Sequence, residues 1–118
     1  MWGPLPLQKP HLYVAVTRLY HKDKCIDQYE TRFGIRSVIF DPQKGILVNG
    51  KPIHIQGVNQ HHDLGALGAA FNTRAAERQL ELLQEMGCNA IRLAHNPPAP
   101  ELLDLTDRMG FLVIDEIF

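Results

Sequence analysis

No apolar run in this sequence reaches the roughly 18 residues that a membrane-spanning helix needs, so no membrane partner is expected. There is no excess of basic residues either. The formal net charge is -1, which leaves no electrostatic footprint for nucleic acid. The start, Met1-Trp2-Gly3-Pro4, has neither a basic segment nor an apolar stretch of the signal-peptide kind. Only two cysteines occur, Cys25 and Cys88, far apart and without a CxxC spacing. They read as unpaired core thiols and leave the compartment open between bacterial periplasm and cytoplasm. Neither G-x-G-x-x-G nor G-x-x-x-x-G-K-[ST] is present, and Gly65 and Gly68 have the wrong spacing for either. That argues against a doubly wound nucleotide-binding domain.

What is present changes character near Lys51. Before it, the period is two. Leu12 to Tyr20 is rich in β-branched and aromatic residues and reads as a strand. His21-Lys22-Asp23-Lys24 is a polar turn, and Cys25 to Phe33 returns as a second strand. Ile35 to Phe40 is a third apolar stretch, ended by Asp41-Pro42. Asn49-Gly50 between Ile46-Leu47-Val48 and Ile53-His54-Ile55 is a strong hairpin signal. Residues 11 to about 50 thus look like the closing strands of an antiparallel β-domain. A whole sandwich would need about seven strands.

After Lys51, strands alternate with helices. Ile53 to Val58 reads as a strand. Asn72 is placed to cap a helix over Thr73 to Met86, with Ala76, Leu80, Leu83 and Met86 on one face and Gly87 as its stop. Asn89 to Ala94 reads as a second strand. Pro100 suits the first turn of a helix running to Met109, with Leu102, Leu105 and Met109 inward and Gly110 as its stop. Phe111 to Ile114 is a third strand, apolar on both faces as buried parallel strands are. The pattern β-α-β-α-β predicts a parallel sheet with right-handed crossovers.

Each predicted parallel strand ends in polar residues. The first gives Asn59-Gln60-His61-His62-Asp63, the second Arg92, His95 and Asn96, the third Asp115-Glu116. In parallel α/β folds all strand C-termini open on one side, and that side carries the site. Arg92 alternates with Ile91 and Leu93, so it occupies the face opposite theirs, where an inward cation needs an anionic partner. Asp115 and Glu116 are neighbours on a strand and point to opposite faces, so at most one meets the rim. They cannot by themselves form a pair of facing catalytic carboxylates roughly 5 Å apart. His61-His62-Asp63 lacks the H-x-x-x-H and H-x-H spacings, so no metal site is expected. His54, between Ile53 and Ile55, reads as structural.

These residues resemble glycoside hydrolase family 2, the family of β-galactosidases, β-glucuronidases and β-mannosidases. The matching stretches run in order through Trp2-Gly3-Pro4, Arg32-Phe33-Gly34-Ile35-Arg36 and Leu47-Val48-Asn49-Gly50-Lys51-Pro52-Ile53. They continue in Gln56-Gly57-Val58-Asn59, His61-His62, Asn89 to Pro97 and Asp107 to Glu116. The resemblance implies that residues 1–50 end an immunoglobulin-like β-sandwich. It implies that 51–118 begin a (β/α)₈ TIM barrel, whose whole would need roughly 250 residues.

It further implies a retaining β-glycosidase acting on terminal β-linked sugars, β-galactosidase-like. His61 and His95 would line the sugar subsite with Asn96 and Asn59. Arg92 would sit beside the nucleophilic carboxylate and keep it ionised. Asp115 and His62 would support these from behind. The general acid and the nucleophile follow barrel strands four and seven in the family, beyond Phe118, so no catalytic residue is expected here. No cofactor is expected in this segment, although magnesium occurs in some full-length members. The expected partners are a carbohydrate and the rest of the parent polypeptide. Taken alone, the chain is expected to be marginally stable and inactive. A non-catalytic carbohydrate-binding or structural module is the competing expectation.

Overall fold

A computed structural model describes residues 1–116. The alternating N-terminal segments form an antiparallel hairpin, β1 (Leu12–His21) and β2 (Lys24–Gly34), with Leu12 opposite Gly34. Tyr13 and Phe33 face each other across it with ring centroids 5.7 Å apart, a stabilising cross-strand pair. Val14, Val16, Tyr29 and Phe33 are all exposed, so this ribbon buries neither face among the described residues. Both cysteines are free as expected, but Cys25 lies on the exposed ribbon and only Cys88 is partly buried. The expectation of two core thiols fails for Cys25 because a two-stranded ribbon has no interior.

A second antiparallel sheet comprises β3 (Val38–Asp41), β4 (Gly45–Val48) and β5 (Lys51–Pro52). Asn49 and Gly50 join β4 to β5 with φ of 54° and 74°, the left-handed pair that a two-residue hairpin turn requires. The Asn49 side chain also ties three segments together. Its Nδ2 donates to the Trp2 carbonyl and to Gln8 Oε1, both at 2.8 Å. Its Oδ1 accepts from the Ser37 amide at 3.1 Å. The third apolar stretch therefore starts as a strand only at Val38. The Ile35 carbonyl is taken by the Trp2 amide at 2.8 Å, and Ser37 is held by Asn49.

The second half is the expected β-α-β-α-β unit. Strands β6 (Gly57–Gln60), β7 (Ala90–Leu93) and β8 (Leu112–Asp115) are parallel in that order, with Gly57 opposite Ala90 and Ala90 opposite Leu112. Helices α1 (Thr73–Glu85) and α2 (Pro100–Met109) cross over between them. Asn72 caps α1 by accepting from the Ala75 amide at 3.0 Å. Pro100 opens α2, and left-handed Gly110 closes it.

One core holds the unit together. Ala76 and Leu80 of α1, Ile91 and Leu93 of β7, Leu102 and Leu105 of α2, and Phe111 are buried against one another. Each large side chain contributes about 1.5–3 kcal/mol. The amino-terminal segment packs on α2: Trp2 is buried, and its indole Nε1 donates to the Asp107 carbonyl at 2.8 Å. The Arg36 guanidinium lies 4.7 Å from the Trp2 ring centroid, and Arg32 pairs with Asp104 at 2.8 Å.

Three expectations need correction. Ile53 to Gln56 is not strand; β6 begins at Gly57. The reason is Asn89, a buried residue whose Oδ1 accepts from the Gln56 amide and whose Nδ2 donates to the His54 carbonyl, both at 2.9 Å. A side chain thus takes backbone groups that a ladder would use, and His54 contributes its carbonyl. Met86 does not face the core: it is 73% exposed, because it is the C-cap residue and lies past the α1 stripe. Ile114 is also exposed, so β8 is covered by helices on one face only.

Candidate functional site at the strand ends

Ile91 and Leu93 point into the helix-covered core, which turns Arg92 to the other face of the sheet. There it lines a shallow groove of about 540 Å³ with Gly57, Asn59, Ala90 and Ile114. Its Nη1 donates to Asn59 Oδ1 at 3.1 Å, across the directly paired positions of β6 and β7. Its Nη2 meets Glu116 Oε1 at 2.6 Å. Glu116 is therefore the anionic partner, and it also holds His95: Nδ1 lies 2.8 Å from Glu116 Oε2. The His95 ring stands edge-on to His61, with centroids 5.9 Å apart. The Ala94–His95 peptide, which leads out of β7, is cis.

Of the two carboxylates at the end of β8, Glu116 joins the cluster. Asp115 is exposed, and its side chain makes no hydrogen bond or ion pair among the described residues. The hydrogen bond from His95 and the Arg92 guanidinium hold the Glu116 carboxyl below its ordinary value, against partial desolvation. Glu116 is the member that sequence reasoning did not place in the site. The signal was present in the need of Arg92 for an anion, but strand alternation alone could not choose between two adjacent acids.

The other sequence-predicted residues lie around this cluster. His62 Nε2 is 3.0 Å from the Ala69 carbonyl, which fastens the loop after β6. Asp63 Oδ1 accepts from the Gly65 amide at 2.6 Å in the same loop. Asn96 turns its Nδ2 to the Pro97 carbonyl at 3.1 Å, not to Glu116. Behind the rim is a cavity of about 30 Å³ lined by Gln60, His61, His62, Asn96, Leu93 and Leu102, among others. Gln60 donates to Gln79 Oε1 at 2.8 Å, while its own Oε1 is buried without a partner. Among the described residues, no three His, Cys, Asp or Glu side chains are grouped to hold a metal ion.

A parallel β-α-β-α-β unit with charged and polar groups gathered at its strand C-termini has the layout of an α/β barrel's functional face. Comparison with known proteins defines the class further. Residues 41–117 match the family model described as "Glycosyl hydrolases family 2, TIM barrel domain", and residues 1–36 match "Glycosyl hydrolases family 2". The chain belongs to glycosyl hydrolase family 2. It is 57% identical over 112 residues to a β-galactosidase of Bacteroides ovatus, covering 95% of this chain and 13% of that protein. It is 39% identical over 123 residues to a β-glucuronidase of Bacteroides fragilis, covering 97% and 18%. A solved family 2 structure from Bacteroides cellulosilyticus superimposes with a TM-score of 0.92 at 46% identity, covering 100% of this chain and 16% of the other. The chain thus spans less than a fifth of the length of these relatives.

Proposed function

We propose that this chain supplies part of the sugar-binding rim of a retaining β-glycosidase that hydrolyses terminal β-linked sugars, with β-galactosides first. Residues 1–50 are the end of an immunoglobulin-like sandwich, and 51–118 are the first three strands and two helices of the catalytic TIM barrel. His61, His95, Asn96, Arg92 and Asn59 face the sugar, with Glu116 holding Arg92 and His95 and His62 holding the loop after β6. The observation that carries this reading is the continuous set of contacts from Asn59 through Arg92 and Glu116 to His95, which draws all three strand-ends to one place.

The chemistry of the rim sets its limits. Double displacement needs one carboxylic acid to protonate the leaving oxygen and one carboxylate to attack the anomeric carbon, roughly 5 Å apart. Glu116 has both oxygens engaged by cation and imidazole donors, and Asp115 is its immediate neighbour. The rim therefore binds and orients hydroxyls, and places a guanidinium where an incoming carboxylate would be kept ionised. The acid and the nucleophile come from the remainder of the barrel, as does any magnesium site. The 118 residues alone do not turn over substrate.

A hybrid tests this. The matching stretch of the Bacteroides ovatus β-galactosidase is replaced by this chain, and hydrolysis of a nitrophenyl β-galactoside is followed. The hybrid is expected to retain activity, and the chain alone to show none. A folded but inactive hybrid, or turnover by the purified chain, would overturn the reading.

A further inference from the structure

Glu116 divides its carboxylate between two partners on β7 and the loop that follows it. Oε1 lies 2.6 Å from Arg92 Nη2, and Oε2 lies 2.8 Å from His95 Nδ1. Its side chain is 21% exposed, so neither contact dangles in solvent. Arg92 is engaged on its other side by Asn59 Oδ1. Hydrogen bonds to the ionised carboxyl favour that form, and an ionised carboxylate can only accept. Each partner must therefore donate. A guanidinium always can. An imidazole donates from Nδ1 only when the proton sits there, which in the neutral ring leaves Nε2 bare.

We propose that Glu116 is a positioning residue: it fixes His95 as the Nδ1–H tautomer and presents the bare Nε2 at the rim as an acceptor for a sugar hydroxyl. The nature of the ligand rests on the glycosidase reading above; the tautomer does not. The His95 side chain is 62% exposed, so Nε2 is open to an incoming group, and the edge of His61 bounds the same space. A carboxylate that holds one ring nitrogen so that the other meets the ligand is a general device in hydrolase and metal sites. Because Arg92 shares the same carboxylate, the ring and the guanidinium are set relative to each other.

The Glu116→Gln variant tests the assignment. Glutamine has nearly the same shape but one accepting and one donating terminus. Arg92 can only donate, so it claims the amide oxygen and leaves the NH₂ group facing His95 Nδ1. That nitrogen must then accept, and the proton moves to Nε2. Long-range ¹H–¹⁵N spectra of the histidine-labelled chain, at a pH where the ring is neutral, read this directly. Where the chain alone gives poorly dispersed spectra, the same label is read in the hybrid, restricted to this segment by ligation.

His95 is expected to be Nδ1-protonated in the parent and Nε2-protonated in the variant. An Nε2–H parent, or a tautomer unchanged in the variant, overturns the proposal. A second readout uses the hybrid with singly deoxyfluorinated galactosides, whose fluorine can accept a hydrogen bond but not donate one. Relative to the parent sugar, fluorine at the hydroxyl that His95 meets should cost the parent about tenfold more in kcat/KM than it costs the variant, whose Nε2–H can donate to it. Equal losses in both would remove the hydroxyl-acceptor role. A hybrid that is inactive while His95 still inverts would sink the glycosidase reading and leave the positioning role supported.

Discussion

Trp2 and Asp107 are 105 positions apart, yet the Trp2 indole Nε1 donates to the Asp107 carbonyl at 2.8 Å. That bond fastens the start of the chain to α2, with Arg36 covering the ring. Trp2→Phe keeps most of the apolar surface but strands a carbonyl, and is expected to cost about 1–2 kcal/mol. Trp2→Ala also opens a cavity and should cost about 3–5 kcal/mol. Urea denaturation followed by circular dichroism checks both. Equal losses for the two variants would show that the hydrogen bond, not the packing, carries the contact.

Asn49 offers a second test, because its turn geometry and its side-chain contacts can be separated. Asn49→Gly retains the positive φ and loses the bonds to Trp2, Gln8 and Ser37. It should destabilise by about 1–3 kcal/mol. Gly50→Ala leaves those bonds intact but places a side chain at φ 74°, at a cost of about 1 kcal/mol. A thermal melt in which Asn49→Gly matches the parent would discard the cross-bracing role of the amide.

Asn89 is buried and answers two backbone groups with one amide. Asn89→Ala leaves the Gln56 amide and the His54 carbonyl unpaired and is expected to cost about 2–4 kcal/mol. Hydrogen exchange localises the effect. The Gln56 and Asn89 amides should lose protection well before those of α2, whereas uniform loss would mean global rather than local loosening.

The Glu116 carboxyl is held below its ordinary value of 4.5 by His95 and then by Arg92. For a depressed carboxyl the stability it brings is complete above the ordinary value and lost as pH falls through the folded one. Denaturant midpoints of the parent should therefore decline on going from neutral pH to well below 4.5 more steeply than those of Glu116→Gln. Parallel curves would mean that the contacts bring no net stabilisation. The cluster is partly open to solvent, and the difference should be small.

Local chemistry made much of the fold legible in the sequence. The Asn49-Gly50 turn, the Asn72 cap, the Pro100 start and the Gly110 stop each answer a requirement of the backbone at one position, so residue type alone suffices. The placement of Arg92 opposite Ile91 and Leu93 followed from strand alternation in the same way. What escaped depends on contacts distant in sequence. Apolar Ile53 and Ile55 suggested a strand, but the His54 carbonyl and the Gln56 amide are held by the side chain of Asn89, more than thirty residues on. Met86 fitted the helical stripe by spacing and fell outside it by one turn-ending position. The choice of Glu116 over Asp115 required knowing where β8 stops, which is a property of the sheet and not of the dipeptide.

The amide of Asn89 also sets the phase of the parallel sheet. It holds the Gln56 amide and the His54 carbonyl while the Gln56 carbonyl accepts from the Asn89 and Ala90 amides, and from that anchor Gly57 is the first residue paired, opposite Ala90. Counting from there, Asn59 falls opposite Arg92 and both turn to the same side. A slip of one residue would put Val58 or Gln60 in that place and send Asn59 toward the helices, since side chains alternate along a strand. The polarity of the rim is thus decided three residues upstream of Asn59 and of Arg92, by a side chain that is not part of it.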